Sequence, residues 1–131
     1  MIKAKGYAAL KVKEALQPYS FERRDPQDHD VVVDIKFCGI CHSDIHMTRD
    51  EWGFGSPFPM VPGHEIAGIV SAVGPKVTKH KVGDRVGIGC MVDSCRTCEN
   101  CKQGLDNYCI PGSTLTYGSI EKDGVTVTQG G

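Results

Sequence analysis

Between residues 95 and 109 the chain reads C-R-T-C-E-N-C-K-Q-G-L-D-N-Y-C, which places cysteines in a C-x2-C-x2-C-x7-C pattern. Cysteines three apart in a tight loop can turn their sulfurs towards one ion, and a fourth after a short excursion completes a tetrahedron. Three readings compete for such a run: disulfides, an iron–sulfur cluster or a closed zinc site. The chain holds seven cysteines, an odd number, and Met1 to Tyr7 lacks the apolar core of an export signal, so a disulfide framework is disfavoured. Iron–sulfur proteins use similar C-x2-C-x2-C runs. Here, however, the intervening residues Arg96, Glu99, Asn100, Lys102 and Gln103 give no apolar shield for a cluster. Zinc held by Cys95, Cys98, Cys101 and Cys109 is the reading that remains. With every position taken by thiolate, such a site holds structure and leaves no place for substrate. The binding free energy folds a loop too polar to fold itself.

The rest of the chain is bounded by its size and charge. At 131 residues it is one domain's worth, with 40% hydrophobic and 24% charged residues. No apolar run approaches the ~18 residues of a membrane span, and the chain reads as a cytoplasmic protein. Fifteen basic residues against sixteen acidic ones leave a net charge of −1. Without a cluster of Lys and Arg there is no footprint for nucleic acid, and a zinc-ribbon nucleic-acid binder carries little weight.

Short β-branched segments separated by glycine turns predict a mainly β fold, a small irregular barrel. Asp30 to Cys41 reads as a half-buried strand with Val31, Val33, Ile35 and Phe37 on one face. His64 to Val73 reads as a second strand and Asp84 to Val92 as a third. Asp123-Gly124 suits a hairpin turn. Only Ser43 to Glu51 looks helical, with Ser43 as its cap and Trp52-Gly53 as its stop. The final residues, Thr128 to Gly131, stop without a closing element and look cut.

A second set of candidate ligands is split between two places: G-I-C-H-S-D-I-H at residues 39 to 46 and P-G-H-E at residues 62 to 65. Cys41 ends one predicted strand and His64 opens another, so a thiolate and an imidazole can meet at one ion. An open zinc site has three protein ligands and a water. Glu65, Asp44, Cys38 and Cys90 are the candidates for the third place or for groups behind it. Cys38 and Cys90 also read as small core residues. His29 and His80 read as solvated loop residues, and His42 and His46 as residues flanking the helix cap.

These motifs together resemble the N-terminal, GroES-like catalytic domain of the medium-chain zinc alcohol dehydrogenases, particularly the cinnamyl alcohol dehydrogenase-like branch. The family signature G-H-E-x2-G-x5-G-x2-V is met by Gly63, His64, Glu65, Gly68, Gly74 and Val77. The C-H-S-D-x-H segment is met by Cys41, His42, Ser43, Asp44 and His46. V-G-D-R-V-G at Val82 to Gly87 and the four-cysteine lobe, about residues 90–112, follow in order.

The resemblance implies a GroES-like barrel over residues 1–131 and an NAD(P)-dependent interconversion of primary alcohols and aldehydes. Cys41 and His64 would be ligands of the catalytic zinc, which acts as a Lewis acid. Ser43 would take the alcohol proton and His46 would pass it to solvent. His42 would lie near the cofactor pyrophosphate, and Trp52 would line the substrate pocket. Asp44 and Glu65 would stand behind the ligands, holding His64 and balancing the metal's charge, with Glu65 an occasional ligand.

Two parts of the family pattern are not found in these residues: a third cysteine ligand and the glycine-rich nucleotide-binding unit. The chain is therefore expected to be an incomplete catalytic domain, with little turnover alone and a catalytic zinc weaker than the structural one. Uncovered edges favour self-association, so a homo-oligomer is expected. The alternative is a stand-alone zinc-binding scaffold without catalysis.

Overall fold

The computed structural model describes residues 1–131. In chain order the strands are β1 (Ile2–Ala8), β2 (Gln17–Arg23), β3 (Val31–Gly39), β4 (Glu65–Val73), β5 (Arg85–Ile88), β6 (Met91–Asp93) and β7 (Thr114–Leu115). Helix α1 (His42–Thr48) joins β3 to β4, and α2 (Glu99–Lys102) with a 3-10 turn (Asp106–Tyr108) fills the span between β6 and β7. The strands form three small antiparallel sheets, β1-β2, β3-β4-β5 and β6-β7. They curve around an open groove of about 1850 Å³ whose apolar wall includes Phe21, Val33, Ile35, Val61, Ile66 and Ile88. This is the mainly β, irregular barrel that the short strands and glycine turns predict.

The sheet that carries the second candidate centre is β3-β4-β5. Its register runs from Val31 opposite Val73 to Gly39 opposite Glu65, with irregularities between Val32 and Val33 and between Ile35 and Phe37. Each irregularity resets which side of the strand a residue faces. The single alternating face expected for Val31, Val33, Ile35 and Phe37 is therefore lost: Val31 and Val33 are half-buried, whereas Phe37 is 76% exposed.

Two further expectations need correction. The third predicted strand, Asp84 to Val92, is two strands, because the chain breaks at Gly89-Cys90 and β6 turns away to pair with β7. Helix α1 is capped by Cys41 and not by Ser43; Ser43 lies inside the first turn. The physical reason is that Cys41 is the last residue in extended conformation, and its N–H is taken by the Asp44 carboxylate at 2.9 Å, half of a capping box.

The β1-β2 hairpin carries only a weak alternating signal in the sequence. Ile2, Ala4 and Gly6 alternate with Lys3, Lys5 and Tyr7, and Tyr19 and Phe21 stack on the opposing strand with ring centroids 5.9 Å apart. The backbone of Ala9 exchanges two 2.9 Å hydrogen bonds with Met60, fastening this hairpin to the segment before β4. The tail is also tied down. Thr128 is buried and pairs with Ser119, the Gln129 side chain accepts from Val61 N–H at 2.7 Å and donates to Pro59 O at 3.0 Å, and Gly130 N–H donates to Val61 O. A compact apolar cluster of Met47, Met60 and Tyr117, with Phe58 against it, sits beneath α1. It seats the helix that brings Cys41 and Ser43 to the site.

Candidate metal centres

In the cysteine lobe Cys95 follows β6, Cys98 caps α2, Cys101 lies within α2 and Cys109 closes the 3-10 turn. The four sulfurs all lie within 4.8 Å of one another, and Cys95 Sγ is 3.8 Å from Cys101 Sγ. No pair is bonded as a disulfide. A tetrahedron with metal–sulfur bonds of ~2.3 Å has edges of about 3.8 Å, so the spacing is that of one ion. Local backbone makes this geometry: Arg96 adopts a left-handed conformation, and the N–H groups of Cys98 and Cys95 donate to Cys95 Sγ and Cys109 Sγ, each at 3.3 Å. The lobe is braced by Ser94 Oγ to Asp106 at 2.6 Å and by Asn100 Nδ2 to Tyr108 O at 2.6 Å.

Two of the four thiols, Cys95 and Cys98, are already poised as ligands. Backbone N–H groups of Thr97 and Cys98 hold the Cys95 thiol down at about 5, and those of Ile110 and Cys101 lower Cys98. Cys101, whose neighbour Ser94 gives its hydroxyl proton to Asp106, is pushed up to about 12 by desolvation and the adjacent Cys98 and Cys109 sulfurs. Four thiolates so close repel one another, and a divalent cation at their centre offsets that repulsion.

At the second centre, the β3-β4 pairing explains why residues 23 positions apart meet. Gly39 opposes Glu65, so Cys41, two residues past Gly39, and His64, one residue before Glu65, converge at the same end of the sheet. Donor atoms of Cys41, His64 and Glu65 lie within 4.8 Å of one another. Cys41 and His64 are half-buried, and Glu65 is exposed. A soft thiolate, an imidazole and a carboxylate make a donor set suited to zinc with a further position open. Beside it lies a small cleft of about 210 Å³ whose lining includes Ser43, Trp52, His64, Cys90 and Tyr117.

The other candidate residues are distributed around this centre. The Ser43 hydroxyl oxygen lies 3.5 Å from Cys41 Sγ. His46 Nδ1 is 2.5 Å from Glu51 Oε2, and its ring sits 4.7 Å from His42 and 5.1 Å from Trp52. Asp44 makes no hydrogen bond to His64; its oxygens accept from Cys41 N–H and from the Tyr117 hydroxyl. Of the four candidates for a third ligand, only Glu65 falls within the donor group. Cys38 Sγ packs against the backbone of Gly63, which adopts a positive φ of 116° that only glycine takes easily. Cys90 lines the cleft without joining the donors. His29 and His80 lie along the large groove, away from both centres.

One feature of the site has no sequence signal. Tyr117 sits at its base although Leu115 to Gly118 matches no motif, and burial followed by the Asp44 carboxylate holds its phenol above the ordinary range. Cys90, read as a core residue or a ligand, is instead part of the cleft wall.

Fold and donor geometry together define a zinc-binding GroES-like domain of the dehydrogenase class. The chain belongs to the family of the alcohol dehydrogenase GroES-like domain, whose family model matches residues 27–130. It is 58% identical over 125 residues to NADP-dependent alcohol dehydrogenase C of Mycobacterium tuberculosis, covering 95% of this chain and 36% of that protein. It is 53% identical over 130 residues to cinnamyl alcohol dehydrogenase 2 of Rauvolfia serpentina, covering 99% of this chain and 35% of that protein. The crystal structure of a cinnamyl alcohol dehydrogenase from Helicobacter pylori, in complex with NADP(H), superposes with a TM-score of 0.93 at 41% identity, over 99% of this chain and 37% of that one. One from Sorghum bicolor gives 0.91 at 47% identity, over 98% and 36%. The chain thus spans about a third of the length of the relatives it matches.

Proposed function

We propose that this chain is the metal- and alcohol-binding part of an NADP-dependent alcohol dehydrogenase acting on primary alcohols and aldehydes. The observation that carries the reading is the convergence of Cys41, His64 and Glu65 at the edge of the cleft lined by Ser43 and Trp52. Zinc bound there supplies Lewis-acid polarisation of the alcohol or aldehyde oxygen, and a nicotinamide supplies the hydride chemistry. Zinc at Cys95, Cys98, Cys101 and Cys109 holds the lobe in shape.

Within this reading the chain's own residues position substrate and move a proton. The apolar side of the cleft, including Met47, Leu115 and the Trp52 ring, receives the substrate's hydrocarbon and excludes water. The Ser43 hydroxyl, on the first turn of α1 beside Cys41, accepts the alcohol proton as it hands on its own. His46, held by Glu51, relays it to solvent, and its ring contact with the exposed His42 gives it a neighbour at the surface. His42 faces outward, where a cofactor phosphate can meet it.

Metal analysis tests the reading. Purified chain reconstituted with zinc and freed of excess metal holds two ions, and Cys41→Ser or His64→Ala holds one. One ion in wild type and variants alike would instead fit a scaffold whose zinc is purely structural.

A further inference from the structure

Tyr117 stands 73 positions from Asp44, yet its hydroxyl donates to Asp44 Oδ1 at 2.6 Å. The other carboxylate oxygen, Oδ2, accepts the Cys41 N–H at 2.9 Å. The Tyr117 ring lies against the His64 imidazole, with centroids 5.4 Å apart and planes inclined by 45°. Tyr117 itself is 3% exposed and packs in one apolar cluster with Met47 and Met60. A side chain so enclosed has one rotamer available and transmits its position to whatever it touches.

We propose that Tyr117 is a positioning residue for the Cys41–His64 centre: its hydroxyl orients Asp44, and through it the backbone at Cys41, while its ring sets the rotation of the His64 imidazole. The inference rests on the reading that Cys41 and His64 hold a metal. It follows from the division of labour around Asp44. The two carboxylate oxygens accept from Cys41 N–H and from Tyr117, and no hydrogen bond joins the carboxylate to His64. The aromatic face takes over the task of orienting that imidazole. Two ligands delivered by different elements, the start of α1 and the start of β4, are thereby referred to a single buried side chain. Groups that orient metal ligands are typically worth ten- to a hundred-fold in metal affinity.

Cobalt reports on this directly, because its visible bands depend on ligand geometry. The chain is titrated with Co²⁺, and the difference between wild type and Cys41→Ser isolates the Cys41–His64 centre. The four-cysteine bands, common to all variants, serve as the control for folding. Tyr117→Phe keeps the ring and removes the hydroxyl; on the order of a tenfold loss of cobalt affinity at the isolated centre, with displaced bands, is expected. Tyr117→Leu removes both contacts and loses more. If Tyr117→Phe disturbs the four-cysteine bands, Asp44→Asn decides, and the same tenfold loss is expected. Wild-type affinity and bands in Tyr117→Phe, or in Asp44→Asn where that variant decides, would overturn the positioning role and leave the metal reading standing. A wild-type spectrum identical to that of Cys41→Ser would overturn the metal reading and the proposal with it.

Discussion

Gly39 and Glu65 face each other where β3 and β4 open, and the Glu65 carboxylate occupies the space that a β-carbon at position 39 would need. Gly39 is thus part of the reason the carboxylate lies beside Cys41 and His64. Gly39→Ala should move the flexible end of Glu65 away from the centre and leave the sheet intact. A several-fold weakening of zinc at that centre is expected, with thermal stability changed by less than about 1 kcal/mol. Competition with a chromophoric chelator measures the first, and thermal denaturation the second.

The two centres should differ in affinity. Cys95, Cys98, Cys101 and Cys109 offer four thiolates, whereas Cys41, His64 and the exposed Glu65 offer one. Stepwise addition of chelator should strip the second centre first. Removing the lobe's zinc should then lower the melting temperature by roughly 10 °C if free metal had stood a hundredfold above Kd, a linkage of about 2.7 kcal/mol. Zinc quantified alongside calorimetry follows both steps.

Arg24 joins two distant parts of the chain. It pairs with Asp30 and, at 2.7 Å through Nε, with Glu121, which Arg23 also approaches at 3.6 Å. Glu121 is only 15% exposed, so Arg24→Met leaves a half-buried carboxylate short of a partner. A loss of ~1–2 kcal/mol in urea denaturation is expected. The Asp30 carboxyl, held below its ordinary range against its own desolvation by Arg24 and the Gln27 N–H, should titrate higher in the variant.

Asp123 governs the turn at residues 121–126. It accepts from the N–H groups of Val125 and Thr126 and from the Thr126 hydroxyl, which hold its carboxyl down at about 2. A folded value below the unfolded one means that the turn is stabilised above pH ~4, and that this contribution is lost as pH falls towards ~2. Amide shifts of Val125 and Thr126, followed by NMR, should show a carboxyl midpoint well below 4. An ordinary midpoint near 4 would remove this account of the turn.

Some of this was legible because it is local. The four cysteines lie within 15 residues, and β3, β4 and α1 each announce themselves by β-branched runs or by a cap and stop. Boundaries failed where pairing intervened. The irregularities in β3 that turned Phe37 outward, and the break at Gly89-Cys90, depend on partners elsewhere in the chain. The hairpin of β1 and β2 is hard to read locally because its small inward residues, Ala4 and Gly6, carry little hydrophobic signal.

By itself the sequence determined the ligand inventory and the family, since metal-binding residue types at fixed spacing are a covalent property of the chain. Only the tertiary structure decided which of those residues share one centre. The β3-β4 register placed Cys41, His64 and Glu65 together and left Cys38 and Cys90 outside. A hydrogen bond spanning 73 positions brought Tyr117 under Asp44. Those choices rest on strand pairing and side-chain packing between segments far apart in the chain, and no local pattern of residues encodes a distance of that kind.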